Sequence, residues 1–439
     1  MCIIAAMNLC GCGKQAIVTQ TQVEEQVEQE DKAAQPENTI EVEVQNQETV
    51  LTQEQPDSSQ EDTSEQPKEE NIQETTETSK EAIEVEEEAT VCEEWDKEAD
   101  RVKVKGIYIS GPIAGNKRMD ELISLVEETE LNAVVIDIKN DEGRVTYKME
   151  TPMVTEIDSS IGYIPDIDAL VAKCKEKNIY LIARIVAFKD PILADRRPDL
   201  AIHKTDGSVY RDKKNLAWVN PYEKEVWEYL KEIGIEAANK GFDEIQYDYI
   251  RFSTDLSSKY LDFGPQAEGK SKTDIITDFT KYICEELEPY RVFVAADVYG
   301  TIIDNKIDQD IVGQNYVEMA SYLDYICPMV YPSHYGNGVY GIPIPDAEPY
   351  RTVKSAMSAA ARELEVLGDG HKAINRVWIQ SFTATWVNGH ISYGPQQIRD
   401  QINGALDAGF DEWILWNAAM KYQKDSLLPA EAEQETQQQ

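Results

Sequence analysis

Two hydrophobic patterns alternate along the chain from residue 100 onward. Short apolar runs, typical of strands buried on both faces, are separated by longer segments whose apolar residues recur every three or four positions, as in amphipathic helices. The run Ala133–Lys139, AVVIDIK, is a clear case of the first pattern. Strands are predicted at 104–110, 133–139, 180–188, 244–252, 291–299, 325–331, 377–382 and 412–417. Eight strands alternating with helices favour an α/β fold, the (β/α)8 TIM barrel.

Short acidic turns repeat ahead of the predicted strands. Gly241-Phe242-Asp243-Glu244 precedes the fourth strand, and Gly409-Phe410-Asp411-Glu412 precedes the eighth. Leu323-Asp324 enters the sixth strand in a similar way. These acidic residues lie at the amino ends of their strands, away from the ends where barrel active sites form. We therefore assign them to turn formation and give them no catalytic role.

The residues before position 100 follow neither pattern. Residues 15–100 contain 28 acidic and 4 basic residues, so they carry a net charge of −24 out of −40 for the chain. Such a segment cannot bury enough apolar surface to offset its ordering entropy, which predicts disorder. The sequence thus divides into a lipoprotein-type signal region 1–12, a disordered acidic linker 13–100 rich in Glu, Gln and Thr, a barrel 101–428, and a disordered tail 429–439.

The acidic balance also bears on partners. Nucleic-acid binding calls for a basic stripe, and none is present, so this class is excluded. Charge gives no attraction to an anionic membrane surface, and no apolar run after Cys12 approaches 18 residues. A monomer is expected, with a membrane contact only through a lipid anchor.

That anchor is suggested by the apolar start of the chain. Leu9-Cys10-Gly11-Cys12 resembles the lipobox of bacterial lipoproteins, in which cleavage precedes a cysteine that becomes lipidated. Cys12 is the expected lipidation site, which predicts an extracytoplasmic protein, anchored to the cell membrane or secreted. No Lys or Arg precedes the apolar run, and the run is short for a signal peptide, so a start codon placed too late or a merely hydrophobic terminus are the alternatives.

The cysteines give no sign of a metal site. None of the seven forms a Cys-x-x-Cys pair, and no Cys/His cluster has zinc spacing. Cys174, Cys284 and Cys327 lie in apolar patterns and are expected to be core thiols. No metal and no cofactor are expected.

Polar side chains follow most of the predicted strands at their carboxyl ends, where the active site of a barrel lies. They include carboxylates, cations, amides and aromatic rings, with no Ser-His-Asp set, which suits a polyhydroxylated substrate. The catalytic candidates are Asp248 and Asp297. The substrate-binding candidates are Asp137, Lys139, Arg184, Tyr249, Arg251, Tyr331, His334, Gln380 and Trp416.

The chemistry that fits two carboxyl groups is cleavage of a glycosidic bond, in which one protonates the leaving oxygen and the other attacks the anomeric carbon or activates water. Asp248 and Asp297 come from adjacent strands, close enough for a retaining enzyme. Positive charge from Arg184 and Arg251 favours an ionised Asp248, the nucleophile. The apolar neighbours of Asp297 favour a protonated acid/base.

Simpler roles stand beside these. A single Asp at a strand end is more often a capping or ion-pairing residue than a catalyst. Asp137 and Lys139 could form a structural ion pair, His334 could be a loop residue without a role, and Tyr249 and Trp416 could be core aromatics. A buried Arg184 must be paired, with Asp248 or Asp137 as the partner.

Three motifs resemble a known family. They are 241–252 (GFDEIQYDYIRF), 296–300 (ADVYG) and 328–335 (PMVYPSHY). Together they resemble the uncharacterised glycosyl hydrolase domain family of bacterial TIM-barrel proteins, often found on lipoproteins, over roughly 103–421. The resemblance implies a glycosidase-type barrel, distantly similar to amylase and galactosidase barrels, whose nucleophilic Asp on the fourth strand matches Asp248. The amylase pattern has Glu after the fifth strand, where this chain has Asp297.

The sequence therefore predicts a glycoside hydrolase that cleaves a polysaccharide or oligosaccharide by a two-carboxylate, retaining mechanism. A noncatalytic carbohydrate-binding protein on the same scaffold is the alternative. A deacetylase or esterase is disfavoured because neither a metal triad nor a nucleophilic serine elbow is visible.

Overall fold

Eight parallel strands form a closed barrel in the computed structural model, which describes residues 95–255 and 258–430. Each strand pairs with the next along the chain, β8 pairs with β1, and a contact between β6 and β7 completes the ring. This confirms the predicted TIM barrel. The strands are β1 (Lys105–Ile109), β2 (Ala133–Lys139), β3 (Tyr180–Val186), β4 (Glu244–Asp248), β5 (Phe293–Tyr299), β6 (Tyr325–Met329), β7 (Val377–Gln380) and β8 (Trp413–Trp416).

Helices occupy every crossover between consecutive barrel strands. Two-residue strands accompany the barrel: His203–Lys204 and Leu261–Asp262 form a separate antiparallel sheet, and Ile374–Asn375 pairs with β6. In the described residues the α-helices are α1 (Lys97–Asp100), α2 (Gly111–Ala114), α3 (Arg118–Glu128), α4 (Pro152–Glu156), α5 (Ile167–Glu176), α6 (Pro191–Arg196), α7 (Lys224–Lys240), α8 (Lys272–Leu287), α9 (Lys306–Val312), α10 (Tyr316–Ala320), α11 (Pro349–Leu364) and α12 (Pro395–Leu406).

Local sequence sets the helix ends. Asp166 accepts a hydrogen bond from the Ala169 amide at the start of α5, and Ser271 with Asp274 forms a capping box at the start of α8. Gly241 ends α7 in the left-handed region, at φ 99°, which costs a glycine little. Because these helix ends are fixed, each strand begins at a defined residue, and the carboxyl ends of the parallel strands lie together at one end of the barrel.

The acidic residues ahead of the strands cap neighbouring backbone. Asp243 Oδ2 accepts a hydrogen bond from the Leu181 amide at 2.8 Å, and Asp324 Oδ2 accepts one from the Val294 amide at 2.9 Å. Both contacts fit the predicted turn role. They hold the bottom of one strand to the bottom of the next.

Glu244 and Glu412 differ from this prediction, which had placed them in the same turns. Both are buried, and Arg376 Nη1 contacts Glu244 Oε1 at 2.7 Å while its Nε donates to Glu412 Oε2 at 3.1 Å. Glu244 lies two and four positions before Gln246 and Asp248, so the strand period of two turns all three to the same face of the strand. The two glutamates therefore form a buried ion-pair layer at the amino end of the barrel.

The fourth strand is shorter than the predicted 244–252. It ends at Asp248 because Tyr249 adopts the left-handed region at φ 48°, which the ladder cannot continue. Arg251 consequently lies in the following loop.

Several predictions fall largely outside the described residues. These are the signal region 1–12 with Cys12, most of the linker 13–100, and most of the tail 429–439. Among the described residues, no helix is both long and apolar enough to cross a membrane. Cys174 and Cys327 are buried, as expected for core thiols, whereas Cys284 is half-buried.

Candidate active site

Side chains from seven strands converge at the carboxyl end of the barrel. The alternation of each strand turns these residues toward its axis, whereas their sequence neighbours pack against the helices. They are Tyr108, Asp137, Arg184, Asp248, Asp297, Trp378 and Trp416.

Arg184 lies at the centre of this group and is 4% exposed. Its Nε and Nη2 donate to Asp248 Oδ2 at 3.0 and 2.5 Å, and its Nη1 donates to Asp137 Oδ1 at 2.6 Å. The predicted pairing of Arg184 is present and involves both carboxylates. One guanidinium thus fixes two carboxylates from different strands in a buried network.

Asp137 and Asp248 each use their second oxygen as well. Tyr108 Oη donates to Asp137 Oδ2 at 2.5 Å. The Tyr249 amide donates to Asp248 Oδ1 at 2.6 Å, and Tyr249 is the residue whose backbone adopts the left-handed region. A carboxylate has about four lone-pair positions, so Asp248 keeps acceptor capacity for a reacting group.

Asp297 follows Asp248 around the barrel. Tyr247 pairs with Ala296 in the ladder, so Asp248 and Asp297 stand one residue further along two adjacent strands. Asp297 is 2% exposed, and Trp378 Nε1 donates to its Oδ1 at 2.5 Å. Burial, with the negative charge of Asp248 added, raises the pKa of Asp297 well above its usual value.

The two carboxyl groups therefore differ in environment. Asp248 has a guanidinium on one oxygen, whereas Asp297 has a neutral indole donor and a raised pKa. A guanidinium partner on one carboxyl group and a raised pKa on the other are the contrast in environment that acid-assisted nucleophilic chemistry uses.

Aromatic rings surround the pair. The ring of Trp416 lies 4.3 Å from that of Tyr108 and 5.8 Å from that of Trp378. Trp416 is half-buried and keeps part of its surface in solvent. Tyr331 is buried and lies two positions beyond the end of β6, the strand whose Cys327 pairs with Asp297 on β5. Burial, with the charges of Asp297 and Asp248, raises its pKa well above its usual value. Such rings can stack on the apolar face of a sugar.

A second cationic group lies beside Tyr249. Lys189 Nζ and the Arg251 guanidinium carbon are each 4.7 Å from the centre of the Tyr249 ring. Arg251 also faces the Tyr299 ring at 4.4 Å, and Lys189 pairs with Asp141 at 3.1 Å. Tyr249 and Arg251 thus belong to the wall of the site next to β3 and β4.

The structure separates Lys139 from the other predicted residues. Its Nζ pairs with Asp190 Oδ2 at 2.9 Å and donates to the Val186 carbonyl, while Asp137 pairs with Arg184. The alternative interpretation, a structural ion pair between Asp137 and Lys139, is therefore wrong. The ladder between β2 and β3 shifts register between Asp137 and Lys139, which explains why the two side chains do not share partners.

Gln380 and His334 sit at the edge of the group. Gln380 is fully buried, and its Oε1 accepts hydrogen bonds from the amide and the hydroxyl of Ser333. His334 is half-buried, its Nδ1 lies 3.0 Å from Ser333 Oγ, and burial lowers its pKa to about 4. Its imidazole is consequently neutral at physiological pH, and Gln380 holds the loop that carries it.

Sequence reasoning missed Tyr108, Trp378 and Lys189. Tyr108 and Trp378 lie inside apolar strands, where an aromatic residue is indistinguishable from a core residue. The parity of each strand was the available signal, since both residues fall on the positions that face the axis. Among the described residues, no group of three or more His, Cys, Asp or Glu side chains could hold a metal ion.

Comparison with known proteins identifies a family that the chain matches. Residues 106–422 match the family described as "Putative glycosyl hydrolase domain". No curated protein matches the chain. Among solved structures, a hypothetical protein from Ruminiclostridium thermocellum is 40% identical; the match covers 44% of this chain and 97% of that one, with a TM-score of 0.41.

Two other structures are more distant in sequence. The PgaB (BpsB) glycoside hydrolase domain from Bordetella bronchiseptica is 12% identical, with a TM-score of 0.51 and coverage of 72% of this chain and 94% of that one. The GH20 exo-β-N-acetylglucosaminidase from Vibrio harveyi is 12% identical, with a TM-score of 0.49 and coverage of 76% and 55%. The Bordetella match supports the barrel fold.

Proposed function

The chain belongs to this glycosyl hydrolase domain family, and we propose that it cleaves O-glycosidic bonds with Asp248 and Asp297 as its catalytic carboxyl groups. One observation carries the assignment. The two groups stand at adjacent positions on neighbouring strands, one paired with Arg184 and the other buried with a raised pKa. Glycoside hydrolysis requires one carboxyl group that acts as an acid and one that acts as a nucleophile or base, and these two environments suit those roles.

In the proposed reaction, Asp297 donates its proton to the glycosidic oxygen as the bond to the anomeric carbon breaks. Asp248 attacks that carbon and forms a glycosyl ester, and the leaving sugar departs with the proton. Asp297, now ionised, takes a proton from water, whose oxygen attacks the anomeric carbon and releases Asp248. Two displacements return the original anomeric configuration.

Retention is favoured by the register of the two strands. Neighbouring strands lie about 4.8 Å apart, and retaining enzymes hold their carboxyl groups about 5–5.5 Å apart. An inverting enzyme needs about 6.5–9.5 Å to fit a water molecule between sugar and base. Adjacent in-register positions suit the shorter spacing.

The surrounding residues suit a carbohydrate substrate, and we propose that this substrate is a polysaccharide. Trp416 offers a partly exposed ring near the carboxyl pair, and the buried Tyr331 lies beyond β6, the strand that pairs with the Asp297 strand. Asp137, Tyr249, Arg251 and His334 line the remaining wall or its edge and supply polar contacts. Arg184, Lys139 and Gln380 hold the frame on which these groups stand.

The proposal extends to location. Lipidation at Cys12 would tether the barrel to the outer face of the cell membrane. Labelled palmitate supplied to cells expressing the natively translated gene should follow Cys12. Label retained by Cys12→Ser would refute the anchor.

The catalytic assignment is tested with starch, xylan, carboxymethylcellulose and glycol chitin as substrates. Wild type should release reducing ends from at least one of them, and Asp248→Asn or Asp297→Asn should lower kcat by about 100-fold or more, as expected for loss of a catalytic group. Asp243→Asn, a matched change at the other end of β4, should leave kcat within about twofold. NMR of the first product should show the anomer of the substrate.

Equal product release by wild type, Asp248→Asn and Asp297→Asn would sink the assignment. Retention of a polysaccharide by wild type without any cleavage would favour the alternative, a carbohydrate-binding protein on the same barrel. A first product with inverted anomeric configuration would be compatible with two catalytic carboxyl groups, but it would contradict the nucleophilic role of Asp248.

A further inference from the structure

A pair of stacked aromatic residues lies in the loop after β7. The rings of Phe382 and Trp386 are 6.0 Å apart and nearly parallel, with 25° between their planes. Both side chains are half-buried, so each keeps part of its surface in solvent. We call these two residues the Phe382–Trp386 platform. Neither ring belongs to the group of residues around the carboxyl pair.

The platform is continuous with the active site through Tyr331. The ring of Tyr331 lies 6.1 Å from that of Phe382, edge to face. Tyr331 itself follows β6, the strand that pairs with β5 and whose Cys327 stands opposite Asp297. A line of aromatic rings therefore runs from the carboxyl ends of β5 and β6, through the buried Tyr331, outward to the loop that follows β7.

The loop that carries the platform is firmly held. Asp346, which is buried, accepts hydrogen bonds from Gln380 Nε2 at 3.1 Å and from the Ile391 amide at 3.3 Å. The Tyr393 hydroxyl donates to the Asp346 carbonyl at 3.0 Å. Contacts on both sides of the platform thus fix the loop, and a ligand that stacks there loses little affinity to ordering it.

Packing against the loop is also close. Gly389 has φ 85°, and a β-carbon there would come within 2.6 Å of Ile344 Cδ1. The loop therefore lies directly on the segment that follows β6. A rigid, partly exposed aromatic surface of this kind suits the flat apolar face of a pyranose ring.

From this geometry we propose that the Phe382–Trp386 platform binds sugar units of a glycan chain that extends beyond the bond being cleaved. The inference rests on the proposed function and deepens it, because it makes the substrate a polymer held at several units. A short glycoside would occupy the site beside Asp297 and Asp248 without reaching Trp386.

The test compares a long substrate with a short one. For the polysaccharide that wild type cleaves best among starch, xylan, carboxymethylcellulose and glycol chitin, Phe382→Ala and Trp386→Ala should each raise KM about 2- to 10-fold. The double variant should raise it further. Hydrolysis of the shortest oligosaccharide that wild type cleaves should stay within about twofold in kcat/KM.

Two controls guard against a purely structural effect. Trp386→Phe keeps an aromatic ring and should restore most of the affinity for the polymer. Tyr322→Ala removes another partly exposed aromatic, ahead of β6 at the opposite end of the barrel, and should change neither substrate. Melting temperatures within a few degrees of wild type confirm that the loop is still folded.

Equal loss on the long and the short substrate would overturn the platform proposal, as would an unchanged KM for the polymer in the double variant. If wild type cleaves none of the four polysaccharides, affinity electrophoresis of the full chain in gels that contain them tests whether the platform binds a glycan. Retardation that is lost in the double variant supports the platform even though the catalytic proposal fails. Retardation that the double variant keeps, or no retardation of wild type, rejects the platform.

Discussion

The hydrogen bond from Trp378 to Asp297 adjusts the proton affinity of the proposed acid. Burial and Asp248 raise the pKa of Asp297, whereas the indole N–H lowers it by stabilising the ionised carboxylate. The enzyme needs Asp297 protonated, so activity should fall as the pH rises through the pKa of Asp297. The alkaline limb of the pH profile thus reports this residue.

Replacing Trp378 with Phe should therefore move the alkaline limb of kcat/KM to higher pH, because the ionised form loses its donor. Profiles of wild type and Trp378→Phe on one substrate, measured from pH 4 to pH 10, check this. Trp413→Phe is a matched control, since Trp413 is also buried on the barrel and its N–H has no hydrogen-bond partner among the described residues. A limb that stays in place or moves to lower pH would contradict the role of Trp378.

Arg184 is expected to matter for stability as well as for chemistry. Its removal would leave Asp137 and Asp248 as buried charges without their shared partner, which typically costs about 3–5 kcal/mol. Arg184→Ala should lower the free energy of unfolding by that amount in a denaturant titration. Lys103→Ala breaks the exposed pair with Asp411 and should cost no more than about 1 kcal/mol. Similar losses for both variants would show that the buried network is not a stabilising unit.

At the scale of elements, the fourth strand has two acidic ends with different tasks. Asp243 holds the Leu181 amide at the bottom, and Asp248 carries the proposed chemistry at the top. Asp243→Ala should lower the free energy of unfolding by about 1–2 kcal/mol, because a part-buried amide loses its acceptor. The kcat of the folded variant should not change. Calorimetry and steady-state kinetics on the same preparation separate the two effects, and a large fall in kcat would contradict the assignment.

Periodicity predicted the elements well and their ends less well. All eight barrel strands were expected, because apolar runs such as 180–186 are long and uninterrupted. Strand β4 was expected to continue to Phe252, since 249–252 also alternates. The left-handed turn at Tyr249 depends on tertiary contacts around the ring, and alternation does not report it.

The residues of the candidate site were likewise predicted in part. Asp248, Asp297 and Arg184 could be found because charged residues in buried strands need partners. Lys139 was grouped with Asp137 because both lie at the carboxyl end of the second strand. The β2–β3 ladder shifts register between them, and the sequence carries no mark of that shift.

At the scale of the whole molecule, charge and architecture divide along the chain. Residues 15–100 hold 28 of the 82 acidic residues and only 4 of the 42 basic ones. The barrel strands and the proposed chemistry all lie after residue 104. More than half of the net charge of the chain, −24 of −40, therefore comes from residues that precede the barrel.

The barrel closes between β6 and β7, where Trp378 pairs with Met329 and its carbonyl accepts from the Val330 amide at 3.3 Å. The residue that completes the ring of strands is thus the residue that donates to Asp297. A thermal fluctuation that opens this seam would leave Trp378 held only by its pairing with Ile414 on β8, and would loosen the contact of the indole with the acid. On heating, we expect the pH profile to drift before any global loss of structure, with amide exchange at 377–380 as its early sign.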